Sequence, residues 1–543
     1  MQKYIHLHGR KMERWGVIVI LLILMSACQQ LPTQPLLQPQ LIGEPNIQVS
    51  PNEKFPLAAI VTLHSNIKTR VEIEMSYGKN RSTHMKFDEF KQTHQIPILG
   101  LRAGREHKLH ITLRTPEGAE MTYHNVIQFQ APALPKGFPH IQVKSQVDRM
   151  EPGYTLFNIM PHGDNTQLGA MAVIVDHDGE VVWYTLTKHY RDVRKLDNGN
   201  ILSQQGNQLY IHDMLGNQIR KHVAMGENSR KLIAEQVLTN AFHHEVFPMD
   251  NGNLITLSIE SRVFENYFDD EKDINAPRKT ANVAGDVVIE ITPQGDMLYQ
   301  WRLLDILDPY RIGYGSLVGH WDKTLRKPTK DWTHGNAVIH DPRDDSLILS
   351  LRTQDATIKI DRLTGKLIWI LSPPENWNEE RFGAYRLKAV NPQPYFYPYH
   401  QHSPEIMPNG NLMIYDNGSF RSSPFHKKTL PDKAFSRAVE YKINESERTA
   451  ELVWEYGQDA EQSYFSGALG DADFLPNKRN VLITHGSLKD DRGKQWARII
   501  EVTYDEPKQE VFELTVTDET DKVENGWRVY RAERIADVYP VGG

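Results

Sequence analysis

The feature that most restricts what this chain can fold into is a turn that keeps returning. Leu196-Asp197-Asn198-Gly199-Asn200, Met249-Asp250-Asn251-Gly252-Asn253 and Met407-Pro408-Asn409-Gly410-Asn411 each close a short strand, and Asp341-Pro342-Arg343-Asp344-Asp345 and Leu475-Pro476-Asn477-Lys478-Arg479 are variants. Asn-Gly suits a two-residue type I′ hairpin, in which both central residues take φ > 0. A second element accompanies the first: a turn, then a strand with a large aromatic. Examples are Asp178-Gly179-Glu180-Val181-Val182-Trp183, Thr364-Gly365-Lys366-Leu367-Ile368-Trp369 and Thr449-Ala450-Glu451-Leu452-Val453-Trp454. Helical periodicity is nearly absent. About six such units fit the C-terminal 400 or so residues, and radially repeated four-stranded sheets make a β-propeller. The expected fold class is therefore all-β, a six-bladed β-propeller over residues 140–543. A blade takes roughly 40–50 residues, and several spacings are longer. Inserted loops are expected at 261–284, 305–331 and 372–400, and loops of that size on a regular scaffold usually carry function.

Residues 44–134 read differently. Runs such as Arg70-Val71-Glu72-Ile73-Glu74-Met75 and His107-Lys108-Leu109-His110-Ile111-Thr112-Leu113 alternate with period two between Gly and Pro turns. That is the pattern of a small antiparallel β-sandwich of immunoglobulin-like type, and it carries no constellation of chemistry. Ahead of it, Lys3, Arg10, Lys11 and Arg14 precede an apolar run from Trp15 to Met25 and then Ser26-Ala27-Cys28. The run is shorter than the ~20 residues that span a bilayer. A basic segment, a short apolar core and small residues before Cys describe a secretory signal with a lipoprotein-type junction. The expectation is a signal peptide at 1–27, lipidation of Cys28 and a Gln/Pro/Leu-rich tether at 28–43. The chain would then sit in the bacterial envelope on the periplasmic side, held to a membrane by its lipid. Gln29 after the Cys favours the outer membrane.

Cys28 is the only Cys among 543 residues. That excludes a disulfide framework, a Cys-based zinc site and an iron–sulfur cluster. A formylglycine sulfatase of the Cys-derived kind is excluded for the same reason. A net charge of −7 argues against nucleic acid as a partner, and 39% hydrophobic residues exclude global disorder. Among possible partners a second copy of the chain is included.

The chemistry emerges on counting back seven residues from each turn. Asn251 leads to His244, Asp341 to His334, Asn409 to His402, Asn198 to Arg191 and Asn477 to Gly470. Equal strand lengths place these residues at one end of the innermost strands, around one mouth of the channel. Arg352 joins them from the end of the apolar strand Leu347-Ile348-Leu349-Ser350-Leu351, with Asp355 and Asp361 as candidate ion-pair partners. Three His and an Arg at a channel mouth can bind a metal through imidazoles, with His400 as a further ligand alternating with His402 on a strand. They can equally surround a tetrahedral oxyanion with one His as nucleophile. Arg352 favours the anion, and no metal is expected. A non-catalytic envelope scaffold is the reading in which these residues have no chemical role.

Several segments carry a family resemblance. Asp331-Trp332-Thr333-His334-Gly335-Asn336, Leu351-Arg352-Thr353-Gln354, Phe242-His243-His244-Glu245, Gln401-His402-Ser403-Pro404 and Phe435-Ser436-Arg437-Ala438-Val439-Glu440-Tyr441 resemble the bacterial aryl sulfotransferases that use aryl sulfate donors. The resemblance covers roughly residues 45–543. It implies transfer of a sulfuryl group from a phenolic sulfate ester to a phenolic acceptor by a ping-pong route through a sulfohistidine. It implies His402 as the nucleophile, His244, His334 and Arg352 as holders of the sulfuryl oxygens, and Asn336 nearby. Arg191, Ser436 and Arg437 complete the expected substrate-binding set. No cofactor is implied, and the chain has no P-loop or Rossmann fingerprint for a nucleotide sulfate carrier. Tyr310, Tyr314, Trp321 and Trp332 in or beside one insertion, and Trp377, Tyr385, Tyr395, Phe396, Tyr397 and Tyr399 in another, are candidates to wall an aryl pocket.

Overall fold

The structure is a computed structural model and describes residues 37–78, 81–163, 168–429, 433–458, 463–518 and 525–540. The expected signal peptide and Cys28 lie outside the described residues, as does the tether up to residue 36.

The chain is almost wholly β. Six strands between Asn46 and Gln130 hydrogen-bond into one sheet. Its spine is the long strand Ala59–Tyr77, which pairs with Ser82–Ile98 along most of its length, with Asn46–Val49 at one end and with Glu106–Arg114 at the other. The alternation read from sequence is real: every second residue of Glu106–Arg114 is buried.

Among the described residues six further sheets of four or five strands follow. Successive sheets touch around a ring: Val193–Lys195, innermost in its sheet, meets Tyr154–Pro161, its neighbour Ile201–Gln205 meets His243–Pro248, and the innermost strands Gly335–Asp341, His402–Ile406, Asp471–Leu475 and Ala532–Ile535 follow in turn. The ring closes through both chain ends. Ala532–Ile535 pairs with Tyr154–Pro161 on the inner edge of the first sheet, while His140–Ser145 pairs with Glu510–Thr517 on the outer edge of the last. Trp527–Arg528 adds a third pair between the two ends, again with Tyr154–Pro161.

The recurring tryptophans lock neighbouring sheets. Trp183, Trp301, Trp369 and Trp454 stand on outer strands, and each indole N–H donates to the following sheet: to Met214 O, Arg362 O, Glu445 Oε1 and Tyr504 O at 2.9, 3.1, 2.9 and 3.0 Å. A buried indole needs such an acceptor, which makes the outer Trp a spacer between sheets.

Two expectations about local structure change. The Asn-Gly turns are not type I′. Gly199, Gly252 and Gly410 have φ of 83°, 82° and 85°, whereas the preceding Asn residues keep negative φ. Leu196 N–H donates to Asn200 O and Gly199 N–H to Leu196 O, so the loop has three residues, a type I turn followed by a left-handed Gly. Asn198, Asn251 and Asn409 instead use their side-chain oxygens to accept from the N–H two residues on. The second change is at 261–284. Leu254–Tyr267 and Lys279–Ile291 run on as a paired hairpin, so most of that segment is strand. The insertions at 305–331 and 372–400 are irregular, with only short helical turns and bridging pairs.

Candidate functional site

His244, His334 and His402 come together at one end of the ring. Each stands at the start of an innermost strand that carries a register shift, between His243 and Val246, Gly335 and Ala337, and His402 and Glu405. The backbone is strained there. His244 has φ 59° and His334 φ 43°, but in the third strand the left-handed residue is Ser403, φ 49°, and not His402. The seven-residue count thus finds the right rung but not identical backbone positions. Left-handed non-Gly residues are uncommon, and here they turn imidazoles inward. In the next sheet Gly470, φ 119°, is obligatory: a Cβ would lie 2.3 Å from the Tyr415 ring. Its carbonyl accepts from Ser403 at 3.0 Å.

The rings of His244 and His334 have centroids 5.1 Å apart. Tyr530 sits between His244 and His402, 6.1 and 6.4 Å from them, and its hydroxyl donates to Asn336 O at 2.8 Å. His402 is buried, and its Nδ1 is 2.6 Å from Asn417 Oδ1. Asn417 cannot be turned around, because its Nδ2 donates to Ser466 O and Leu469 O, both at 2.7 Å. Nδ1 of His402 therefore carries the hydrogen, and Nε2 keeps its lone pair with no hydrogen-bond partner among the described residues. Burial and then the Arg352 charge hold the His402 pKa well below the usual histidine value, so the ring is neutral.

His334 is held by Asp331, whose Oδ2 lies 2.5 Å from Nδ1. Asp331 also accepts from the Trp321 indole at 2.8 Å. Burial opposes ionisation of Asp331, but His334 outweighs it and the carboxyl stays below its ordinary value. His244 is buried and kept neutral by burial and then by Arg191, whose Nη1 lies 3.4 Å from Nε2. Arg352 follows the strand Ser346–Leu351, and its backbone N–H donates to His334 O at 3.2 Å. Among the described residues no carboxylate reaches its guanidinium. Asp331 and Asp355 act on it only at a distance. Asp355 is engaged with His400 at 2.8 Å and Asp361 with Thr364 at 2.7 Å. A half-buried guanidinium with no counter-ion in reach is placed to meet an anion.

The other expected residues divide. Asn336 is fully buried and donates from Nδ2 to Gln401 O at 2.8 Å, so it anchors the segment before His402. Ser436 donates to Asn417 O at 2.7 Å and accepts from Ser466 N–H at 2.9 Å. Arg437 is saturated by Asp416 at 2.9 Å and by short bonds to Glu455 and Tyr395 O. Neither faces open space: they hold the segment carrying Asn417. His400 is not on a strand with His402. It lies before the strand with φ 53°, bonded to Asp355 and packed on Phe420, so the alternation argument for a fourth metal ligand does not apply. Among the described residues the group able to approach a metal together is His320, Asp331 and His334, with donor atoms within 4.8 Å. Asp331 already occupies His334 Nδ1, which makes this an imidazole–carboxylate pair with an exposed neighbouring imidazole. Half of the ten insertion aromatics are packing: Trp332, Tyr314, Trp321, Trp377 and Phe396 are buried, while Tyr310 and Tyr395 are exposed.

Sequence reasoning missed Asn417, Tyr530 and His320. Asp331 was within reach, lying three residues before His334. Asn417 and Tyr530 carry no signal of their own type, because Asn and Tyr are common at strand ends.

With this geometry in place, comparison with known proteins is decisive. A family profile described as Arylsulfotransferase (ASST) matches residues 140–531, and one described as Arylsulfotransferase Ig-like domain matches residues 46–130. The chain belongs to the arylsulfotransferase family. Members named arylsulfate sulfotransferase AssT are similar to it. The one from Lelliottia amnigena is 22% identical over 540 residues, covering 81% of this chain and 85% of that protein. The one from Escherichia coli is 26% identical over 371 residues, covering 58% and 57%. Solved structures are more distant. A protein of unknown function from Bacteroides caccae has 12% identity and a TM-score of 0.37, over 70% of this chain and 99% of that one. The β-propeller domain of Cps50 (Swd1) from Myceliophteria thermophila has 8% and 0.33, over 74% and 98%. The architecture of this arylsulfotransferase therefore rests on its own strand order.

Proposed function

We propose that this arylsulfotransferase moves a sulfuryl group from a phenolic sulfate ester to a phenolic acceptor in two displacements through His402. In the first, the Nε2 lone pair attacks sulfur, the bond from sulfur to the aryl oxygen breaks, and its electron pair leaves on the phenolate. In the second, the acceptor oxygen attacks the same sulfur, the S–N bond breaks, and its pair returns to Nε2. The single observation that carries this reading is the Asn417–His402 bond, which fixes a buried neutral imidazole with its bare nitrogen beside an unpaired Arg352. Sulfuryl transfer, like phosphoryl transfer, is governed by positioning and charge stabilisation. Arg352 and Arg191 supply charge to the sulfuryl oxygens, and Asp331 fixes the orientation of the His334 ring beside them. We further propose that the enzyme works in the cell envelope, tethered through an acylated Cys28.

The test uses a chromogenic aryl sulfate with and without added phenol, on the chain starting at Gln29 and on its His402→Ala variant. Phenolate release that rises with acceptor, vanishes in the variant and accompanies a mass gain of one sulfuryl group on donor-treated enzyme supports the reading. Release that ignores the acceptor makes the protein a hydrolase, and release abolished by chelators makes it a metalloenzyme.

A further inference from the structure

One imidazole of the site comes from an insertion and not from a propeller strand. His320 lies in the 305–331 segment and is exposed, whereas His244 and His402 are buried. Its ring stands 4.8 Å from that of His334 and 4.8 Å from that of Trp321. One carboxylate sets its position. Asp331 Oδ1 accepts from the buried Trp321 indole at 2.8 Å, and Asp331 Oδ2 meets His334 Nδ1 at 2.5 Å. The residue beside His320 and the strand imidazole facing it are thus pinned to the two oxygens of the same group. The segment is tied down again where Asp331 N–H donates to Val318 O at 3.0 Å, and where Thr329 donates to Asp322 Oδ1 from its N–H and its hydroxyl at 2.7 and 2.8 Å. Among the described residues no hydrogen bond reaches either ring nitrogen of His320. A solvent-facing imidazole that is held in place but bonded to nothing has a lone pair to offer.

In-line displacement puts the attacking and leaving groups on opposite faces of sulfur. With His402 Nε2 on one face, the aryl oxygen of the donor, and later the hydroxyl of the acceptor, takes the other. Phenols arrive from solvent, so that face is turned to the open mouth, where His320 stands beside His334. Arg352 and His334 act on both His402 and His320, so His320 shares the neighbours of the sulfuryl seat. Partial loss of water and then His334, Arg191 and Arg352 hold His320 below the ordinary histidine value, with Asp331 acting the other way. The ring is neutral near pH 7 and accepts a proton rather than giving one.

Resting on the two-displacement reading above, we infer that His320 is the general base of the second half-reaction, taking the proton of the acceptor phenol as its oxygen bonds to sulfur. An oxygen lone pair forms the new bond, the O–H pair stays on oxygen, and the hydrogen passes to a ring nitrogen of His320. The S–N bond to His402 breaks and its pair returns to Nε2. The hydrogen becomes acidic as the oxygen bonds to sulfur, so a weakly basic imidazole suffices. The proton then leaves the exposed ring for water, while the phenolate freed in the first half takes one from water, so none is gained or lost over the cycle. An acidic leaving phenol departs as phenolate without help, and the first half-reaction with such a donor does not call on His320. His320 is the catalytic member. Asp331 is a positioning residue that acts through it.

An enzyme with two displacements reports its halves separately: kcat/KM for donor belongs to the first and kcat/KM for acceptor to the second. The test keeps one chromogenic donor with an acidic leaving phenol and varies the acidity of the acceptor phenol, on wild type, His320→Gln and His320→Ala. Both variants are expected to keep donor kcat/KM within about threefold, and to lose ~10²-fold in acceptor kcat/KM for the least acidic phenols, the usual reach of general base catalysis. The most acidic phenols, already ionised, should lose little. Added imidazole should recover the weakly acidic acceptors in His320→Ala, which a merely structural role would not allow. In wild type the solvent isotope effect on acceptor kcat/KM should grow as the acceptor becomes less acidic, a measurement that stands if neither variant folds. Variant losses equal across the acceptors, a loss confined to donor kcat/KM, or an isotope effect that ignores acceptor acidity overturns the base while leaving sulfuryl transfer intact. Wild type that transfers from no donor overturns the transferase reading and the base with it.

Discussion

Asn417 holds His402 by a bond of 2.6 Å from the imidazole Nδ1–H to the amide oxygen, and the amide itself is held by two backbone carbonyls. The relationship decides which nitrogen of the central imidazole is nucleophilic. It also places the decision on a residue fifteen positions further along the chain, at the end of the neighbouring strand Leu412–Asp416.

Asn417→Ala removes that control. The ring can then take either tautomer and turn about its Cβ–Cγ bond, and a misplacement of about 1 Å at a reacting atom costs roughly 10²-fold. The expected outcome is kcat lower by about 10²-fold with donor KM within a few-fold, because Arg352 and Arg191 still bind the anion. Steady-state kinetics on a variant that melts like wild type checks this, and a change confined to KM would sink the idea.

Arg352 is predicted to act as a free cation for the sulfuryl oxygens. Arg352→Ala should lower kcat/KM by about 10²–10³-fold, the range seen when one preorganised donor to a developing oxyanion is lost. Arg352→Lys should recover only part, since an ammonium lacks the planar fork that bridges two oxygens. Inorganic sulfate should compete with donor in wild type and compete poorly in Arg352→Ala. Undiminished competition in that variant would place the anion elsewhere.

Much of this site was legible in the chain. The repeated turns located the rungs, and the count from Asn251, Asp341 and Asn409 selected His244, His334 and His402. Turn chemistry constrains strand length, and strand length constrains which residues share a mouth. The count could not see the shift at Ser403, because a bulge adds a residue without leaving a compositional mark. Nor could it separate Arg352 from Arg437. Both follow or begin strands beside a propeller mouth, and only the positions of Asp416, Glu455 and Asp355 show that one is paired and the other is not. Asn417 and Tyr530 depend wholly on tertiary placement.

Stability should fall as pH rises from about 7.5 to about 8.5. Burial raises Asp286 and Glu533 to about 7 and Glu405 to about 8. Glu405 and Glu533 line a channel cavity of about 370 Å³ beneath the histidines. For an acid raised on folding, the folded state binds the extra proton, so stability is lost as pH climbs from the ordinary carboxyl value through the folded one. The buried histidines act oppositely. His243 and His485 are lowered to about 3, and His107 and His222 to about 4. Their contribution rises with pH and is complete about one pH unit above the unfolded histidine value near 6.5. Above that point only the carboxyls still change. Thermal melts across this range check the sign, and Glu405→Gln with Glu533→Gln should flatten the fall. A melting temperature that climbs with pH through this window would contradict the assignment.

Arg437 tests the difference between a residue that binds substrate and one that builds the wall behind it. Its side chain and that of Asp416 are both fully buried. Asp416 also takes Arg421 at 2.8 Å and the Tyr399 N–H at 2.9 Å. Removing one partner of a buried pair leaves a charge with incomplete compensation and costs about 3–5 kcal/mol. Arg437→Ala should therefore melt well below wild type. Because Asp416 precedes Asn417, activity should fall through kcat, with little change in donor KM. Arg437→Lys should fail to rescue, since one ammonium cannot reach Asp416, Glu455 and the Tyr395 carbonyl together. A variant that melts normally but needs far more donor for half-maximal rate would return Arg437 to the substrate.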